Sequence, residues 1–292
     1  MFEELTKKYH YTKIEKGWSN DEKYLITTNN NEHLLLRISD AALYQKKKYQ
    51  FEMLQVLKTK NISCSQPIEF GHLKDGRVYT ILSYLEGEDA QIIIPTLSQS
   101  QQYNLGREAG STLQVIHSIP SFKSATDWEE RMDRKLEKKM NDLVLFNIDL
   151  PYKDLIIHYV NSNRALYKNR KQVFQHGDYH VGNMIIHDGK IGIIDFDKID
   201  SGDPYEEFKC FVWNVYTSTY FMTGMIDGYF DDNVPDDFFP LLKFYVAESL
   251  LGHIVWAKKF GEEEIKVAYK ALEDIMMWYD YFKLEIPTWY NK

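Results

Sequence analysis

Cysteine is nearly absent: Cys64 and Cys210 are the only two in 292 residues. Two thiols build no disulfide framework, and reduced cysteines in a cytoplasmic protein are the expected state. Basic residues are also short. Thirty-five Lys and Arg stand against 43 Asp and Glu, a formal net charge of −8. That balance argues against a nucleic-acid binder, which carries a basic face, and suits a cationic ligand. Long apolar runs are missing too. The most membrane-like stretch, 211–226, is too short, contains Asn214 and threonines, and reads as a buried helix, so no membrane association is expected. The first eight residues carry acids and no apolar run, so no signal peptide is expected either. Neither an internal repeat nor a low-complexity linker divides the chain.

What is present is ordinary globular material, with 44% hydrophobic and 27% charged residues and a chain long enough for one large or two modest domains. Aromatics are plentiful at 15%, including 21 Tyr and 6 Trp. They fit either large aromatic cores or a ring-lined cleft.

The informative stretch runs from Gln175 to Asp197. Val173–Phe174 lead into a loop, His176-Gly177-Asp178-Tyr179-His180-Val181-Gly182-Asn183, followed by Met184-Ile185-Ile186. His187-Asp188-Gly189-Lys190 carries the Asp-Gly signature of a hairpin turn, and Ile191–Ile194 is the returning strand before Asp195-Phe196-Asp197. Asp178, Asn183 and Asp195 therefore fall at strand ends. Phosphoryl transfer needs this set: one carboxylate to orient or deprotonate a hydroxyl, and an amide oxygen with a second carboxylate to hold Mg²⁺ against nucleotide phosphates. Protein kinases place a base Asp and a metal-binding Asn five residues apart, with Asp-Phe-Gly further on.

Here the first element begins His-Gly-Asp, the second is Asp-Phe-Asp, and Gly202-Asp203-Pro204 follows. In these features the chain resembles the aminoglycoside phosphotransferase family of small-molecule kinases more than protein kinases. The resemblance implies an α+β, protein-kinase-like two-lobe fold. A small antiparallel-sheet nucleotide lobe would cover residues 1–87, and a larger, mainly helical catalytic and substrate lobe residues 88–292, with ATP (or GTP) and Mg²⁺ between them. Asp178 is then the catalytic base and orienting group, and Asn183 and Asp195 are the metal ligands. Asp197 would assist at the metal or bind substrate. His180 stays ambiguous, while His176 is a hydrogen-bonder rather than a nucleophile. A zinc site from the two histidines is the alternative, without a Cys pair to support it.

No full Gly-x-Gly-x-x-Gly is present. The family often carries a Gly-x-Ser-Asn turn instead, matched by Gly17, Ser19 and Asn20. Strands are expected at Tyr24–Thr28 and Leu34–Ile38, joined by Asn29-Asn30-Asn31. Kinases place a lysine in the third strand, and this chain has Arg37 there. Either Arg37 substitutes, with Glu52 on the helix 41–60 as its partner, or Arg37 is a structural pair and Lys23 assists. Phe51, Leu54 and Leu57 give that helix its apolar stripe, and Lys46-Lys47-Lys48 reads as a solvated face. Ser83, Tyr84 and Leu85 would form the hinge that offers backbone groups to a purine.

Beyond residue 88 the pattern is helical. Ser98 caps a helix through Leu105, Ala109, Leu113 and Ile116, ending near a core-satisfied His117. Thr126 with Glu129 forms a capping-box pattern. Further helices are expected at 151–168, 205–224, 235–257 and 261–284. Asp231, Asp232, Asp236 and Asp237, with Trp213, Tyr216, Trp278 and Trp289, either serve helix ends and core or line a pocket for a protonated amino sugar. The expected reaction is γ-phosphoryl transfer to a hydroxyl of a small cationic acceptor. Choline, amino-alcohol, sugar and macrolide kinases share such motifs, and a non-catalytic nucleotide-binding relative is the alternative of a different class.

Overall fold

The computed structural model describes residues 10–15, 21–121 and 126–290. It contains two compact units. One comprises the described residues up to Ala90 together with Asn183–Asp197, and the other comprises Gln91–Gly182 with the described residues from Lys198 onward.

The first unit is built on a five-stranded antiparallel sheet in the order β1-β2-β3-β5-β4, from β1 (His10–Lys13), β2 (Glu22–Thr27), β3 (His33–Ser39), β4 (Pro67–His72) and β5 (Val78–Ser83). Asn31 takes the positive φ that closes the β2–β3 turn. Alternation sets one buried face, where Ile26, Leu36, Ile38, Tyr79 and Ile81 form a core closed by Leu73. Helix α1 (Tyr44–Lys58) packs on β4 and β5, burying Lys47, Gln50, Leu54 and Leu57. A second sheet runs β6-β8-β9, with β6 (Glu88–Asp89), β8 (Met184–His187) and β9 (Lys190–Ile193). The β8–β9 turn places both Asp188 and Gly189 at positive φ, as a two-residue Asp-Gly hairpin requires.

The second unit is mainly helical: α2 (Gln99–His117), α3 (Trp128–Leu145), α4 (Lys153–Ser162), α5 (Phe211–Thr217), α6 (Thr219–Tyr229), α7 (Phe238–Ala257) and α8 (Glu262–Trp278). A short antiparallel pair of β7 (Val173–Gln175) and β10 (Asp200–Gly202) accompanies them. Ser98 caps α2 in a full capping box with Gln101. The cap of α3 is Asp127 and not Thr126: its carboxylate accepts from the Glu129 and Glu130 amides at 3.0 and 3.2 Å. The single helix expected over 205–224 is a 3₁₀ stretch (Pro204–Cys210) followed by two helices. Extended Ser218 separates those helices and caps the second through the Phe221 amide. α7 is long and apolar enough to cross a membrane by composition, yet 72% of its window is buried inside the protein, so it is accounted for as the core helix.

α2 and α6 approach closely because each carries two glycines one turn apart. A β-carbon on Gly110 would lie 2.0 Å from the Met225 carbonyl oxygen, and one on Gly224 would lie 2.1 Å from that of Tyr103. Gly110→Ala is therefore expected to cost about 1–3 kcal/mol of unfolding free energy by overpacking, measured by urea denaturation. An unchanged midpoint would contradict this packing.

Candidate active site

The loop that follows β7 in the second unit hangs between buried polar anchors. The amides of His176 and Gly177 donate to the Glu207 carboxylate at 2.9 and 2.5 Å, and the Val181 amide donates to Asn214 Oδ1 at 2.7 Å. Glu207 is also 3.2 Å from His117 Nε2, while His117 Nδ1 pairs with the Tyr229 hydroxyl at 2.8 Å. His117 is thus a satisfied core histidine. Gly177 has φ 83°, and a β-carbon there would lie 1.9 Å from the Lys198 carbonyl oxygen, so no other residue fits. Asp203 anchors the following segment by accepting from the Tyr205 amide at 2.8 Å and from Arg170.

Asp178 projects from this loop with its side chain 23% exposed. Its backbone amide donates to His176 Nδ1 at 3.2 Å, which gives His176 a structural part. Lys198 Nζ donates to Asp178 Oδ2 at 2.9 Å, and His180 Nε2 lies 3.7 Å from Oδ1. Burial pulls the Asp178 carboxyl upward, but His180 and Lys198 outweigh it and hold the group well below the usual carboxylate range.

The other candidate residues belong to the first unit. The Ile194 amide donates to the Asn183 carbonyl at 3.0 Å, which closes the β8–β9 hairpin and sets Asp195 one residue beyond its mouth. Asp195 sits at φ 64° with its side chain 36% exposed. Asp197 is drawn elsewhere: it pairs with Arg37 Nη2 and lies 3.4 Å from Lys47 Nζ, and its carbonyl accepts from Gln50 Nε2 at 2.7 Å.

Arg37, on β3, is 7% exposed. Glu52 is not its partner. Glu52 is 53% exposed and faces Lys48 at 3.8 Å. Arg37 instead pairs with Asp21 through Nε and Nη2 at 3.1 and 2.9 Å, with Asp197, and with Asp195 through Nη1 at 3.3 Å. Lys47, expected on a solvated face, is buried against Asp21 at 2.6 Å. Burial raises the Asp21 carboxyl, but the Lys47 hydrogen bond and the charges of Arg37 and Lys47 bring it below its ordinary value. Half-buried Lys23 is lowered by burial and by Arg37. Asp21 and Lys47 are the residues that sequence reasoning missed. A signal existed for Lys47, because positions 47, 50, 54 and 57 share one helical face.

Gly17, Ser19 and Asn20 lie outside the described residues. At the end of β5, where the hinge is expected, the Ser83 and Tyr84 amides are already committed, to the Gln66 carbonyl at 2.8 Å and the His33 carbonyl at 3.1 Å. Among the described residues the Leu85 amide forms no hydrogen bond, so it alone of the three is left to donate to a ligand. Of the acids expected in an acceptor pocket, Asp232 pairs with Arg107 and Asp237 with Arg170 at 2.8 Å. Trp289 is buried and packs on Phe211, while Tyr216 is exposed and its hydroxyl donates to Asp274. Among the described residues no group of three His, Cys, Asp or Glu side chains is placed to hold a metal.

If Lys198 and His180 hold Asp178 ionised, removing either partner must release its carboxyl. Lys198→Ala and His180→Ala are each expected to raise the Asp178 pKa in a carboxyl carbon NMR titration. An unmoved titration in both variants would refute this electrostatic account.

The sequence model of the phosphotransferase enzyme family matches residues 10–236. No curated protein matches the chain. Solved structures share its fold. The streptomycin–ATP complex of APH(2")-IIa is 17% identical with a TM-score of 0.66, covering 93% of this chain and 94% of that one. The GDP complex of wild-type aminoglycoside 2'-phosphotransferase-IIIa is 14% identical with a TM-score of 0.71, covering 91% and 92%. A thermostable mutant of APH(4)-Ia with ADP and hygromycin B is 14% identical with a TM-score of 0.69, covering 94% and 95%. The fold is that of the aminoglycoside kinases, with an antiparallel-sheet unit and a helical unit, and the chain belongs to the phosphotransferase enzyme family.

Proposed function

We propose that the protein transfers the γ-phosphoryl group of ATP or GTP to a hydroxyl of a small cationic acceptor, an aminoglycoside-like sugar, in the cytoplasm. The observation that carries this reading is Asp178, a largely buried carboxylate kept ionised by its flanking partners His180 and Lys198. A carboxylate held that far below neutrality is a weak proton acceptor in the ground state. Its part is to fix the acceptor hydroxyl by accepting its hydrogen bond, and to take the proton as transfer completes. Lys198 keeps that carboxylate charged.

The first unit serves the nucleotide. The Leu85 amide donates to the purine edge, and Arg37 holds phosphate oxygens, with Gly17, Ser19 and Asn20 as further candidates for backbone and hydroxyl donors. Asn183 and Asp195 suit Mg²⁺. Both offer hard oxygen donors, Asp195 is open to solvent, and two protein ligands leave positions for water and phosphate. When bound, the ion neutralises charge on the phosphoryl oxygens. Asp197 holds Arg37 and is not assigned to the metal. On the acceptor side, the net charge of −8, exposed Asp231 and Asp236, and the aminoglycosides held by fold relatives support a polyamine substrate.

Asp178→Asn is expected to lower kcat by about 10²–10⁴-fold while nucleotide affinity persists, measured by coupled turnover and by calorimetry. Because Asp178 is ionised in the free protein at any pH above the ordinary carboxyl range, its protonation should produce no acid limb in kcat/KM between about pH 5 and 7. Unaltered turnover in the Asn variant would remove Asp178 from the mechanism.

A further inference from the structure

Arg37 is a buried guanidinium, and its neighbours divide its edges between them. Asp21 Oδ2 takes the Nε–Nη2 edge at 3.1 and 2.9 Å, and Asp197 Oδ2 shares Nη2. Nη1 donates to Asp195 Oδ1 at 3.3 Å. Each of the two clamping carboxylates is itself held. Asp21 receives Lys47 Nζ at 2.6 Å and the Ser39 hydroxyl at 2.8 Å, and Asp197 receives Lys47 at 3.4 Å and, on its carbonyl, Gln50 at 2.7 Å. Lys47 and Gln50 occupy one face of α1, a turn apart. The helix therefore contributes a cation and an amide, whereas kinases contribute a helix glutamate opposite the strand cation. The anion for the strand cation comes from Asp21 at the start of β2.

We infer that Lys47 and Asp21 are positioning residues for nucleotide phosphates: they act through Arg37, by fixing its Nε–Nη2 edge and with it the direction in which the guanidinium meets phosphate. Two carboxylates crowded on one guanidinium would repel each other, and Lys47 bridges them at 2.6 and 3.4 Å, which offsets that repulsion and holds Asp21 against the fork. This inference rests on the nucleotide reading given above.

The test is a double-mutant cycle on kcat/KM for MgATP, with Lys47→Met, Arg37→Lys and the pair, beside the isosteric Asp21→Asn. Lys47→Met and Asp21→Asn are each expected to lower kcat/KM on the order of ten- to a hundredfold, because a small displacement of a phosphate-holding group misaligns the transfer. Lys47→Arg should restore most of it. The double variant should be no worse than the poorer single. Losses that multiply, or a Lys47→Met enzyme with wild-type kcat/KM, overturn the inference. If Lys47→Met melts early, Asp21→Asn decides with the same criteria.

A second readout does not depend on turnover. The Arg37 Nε–H resonance should be protected from exchange in the wild type and in Lys47→Arg, and lose protection in Lys47→Met. Were the wild type to turn over no nucleotide, the functional reading would fall by itself. Retained protection in Lys47→Met would then still overturn the clamp.

Discussion

Arg37 sits among Asp21, Asp195 and Asp197, with Lys47 and half-buried Lys23 close by. Three cations and three carboxylates in one partly dehydrated cluster are tolerable only because they are interleaved. Stripping water from an unpaired charge costs several kcal/mol, and removing one partner of a buried pair typically costs about 3–5 kcal/mol. The cluster therefore dictates local structure around it. Asp21 must stand just before β2, beside β3, α1 must turn Lys47 and Gln50 inward, and the chain after β9 must bend at Asp195 so that Asp197 returns to Arg37. The positive φ of Asp195 is the visible consequence of that bend.

The second unit solves a similar problem for backbone amides. The loop after β7 has no regular ladder to satisfy its amides, so buried Glu207 and Asn214 accept them instead. Both anchors come from the segment just after Gly202-Asp203-Pro204, which Asp203 pins through the Tyr205 amide. This explains why the two short motifs occur together in the chain. One carries Asp178, and the other begins the segment that holds its backbone.

Much of this was legible from the sequence where the physics is local. The Asp-Gly hairpin, the alternation of β2 and β3, the Ser98 cap and the helical spacing behind it all depend on a few neighbouring residues, and the structure has them. The reading of Lys46-Lys47-Lys48 as one solvated face failed because a charge run suggests water, whereas helical geometry points adjacent side chains about 100° apart. Lys47 falls on the buried stripe and its neighbours do not. Glu52 was assigned to Arg37 by analogy, and the actual partner, Asp21, precedes a strand and is brought there by sheet pairing that no local pattern encodes. The break at Ser218 was hidden inside an apolar stretch that reads as one helix. The commitment of the Ser83 and Tyr84 amides was hidden for a similar reason, because their partners, the Gln66 and His33 carbonyls, are distant in the chain.

The central claim is that this chain moves a phosphoryl group from a nucleotide to a small-molecule hydroxyl. The most direct measurement is phosphorus NMR of the wild type with Mg²⁺, ATP or GTP, and a panel of aminoglycosides. The account predicts a new phosphomonoester resonance on one acceptor, growing in step with nucleoside diphosphate. Nucleotide that binds but yields only inorganic phosphate, or no product with any hydroxyl-bearing amine, would contradict it.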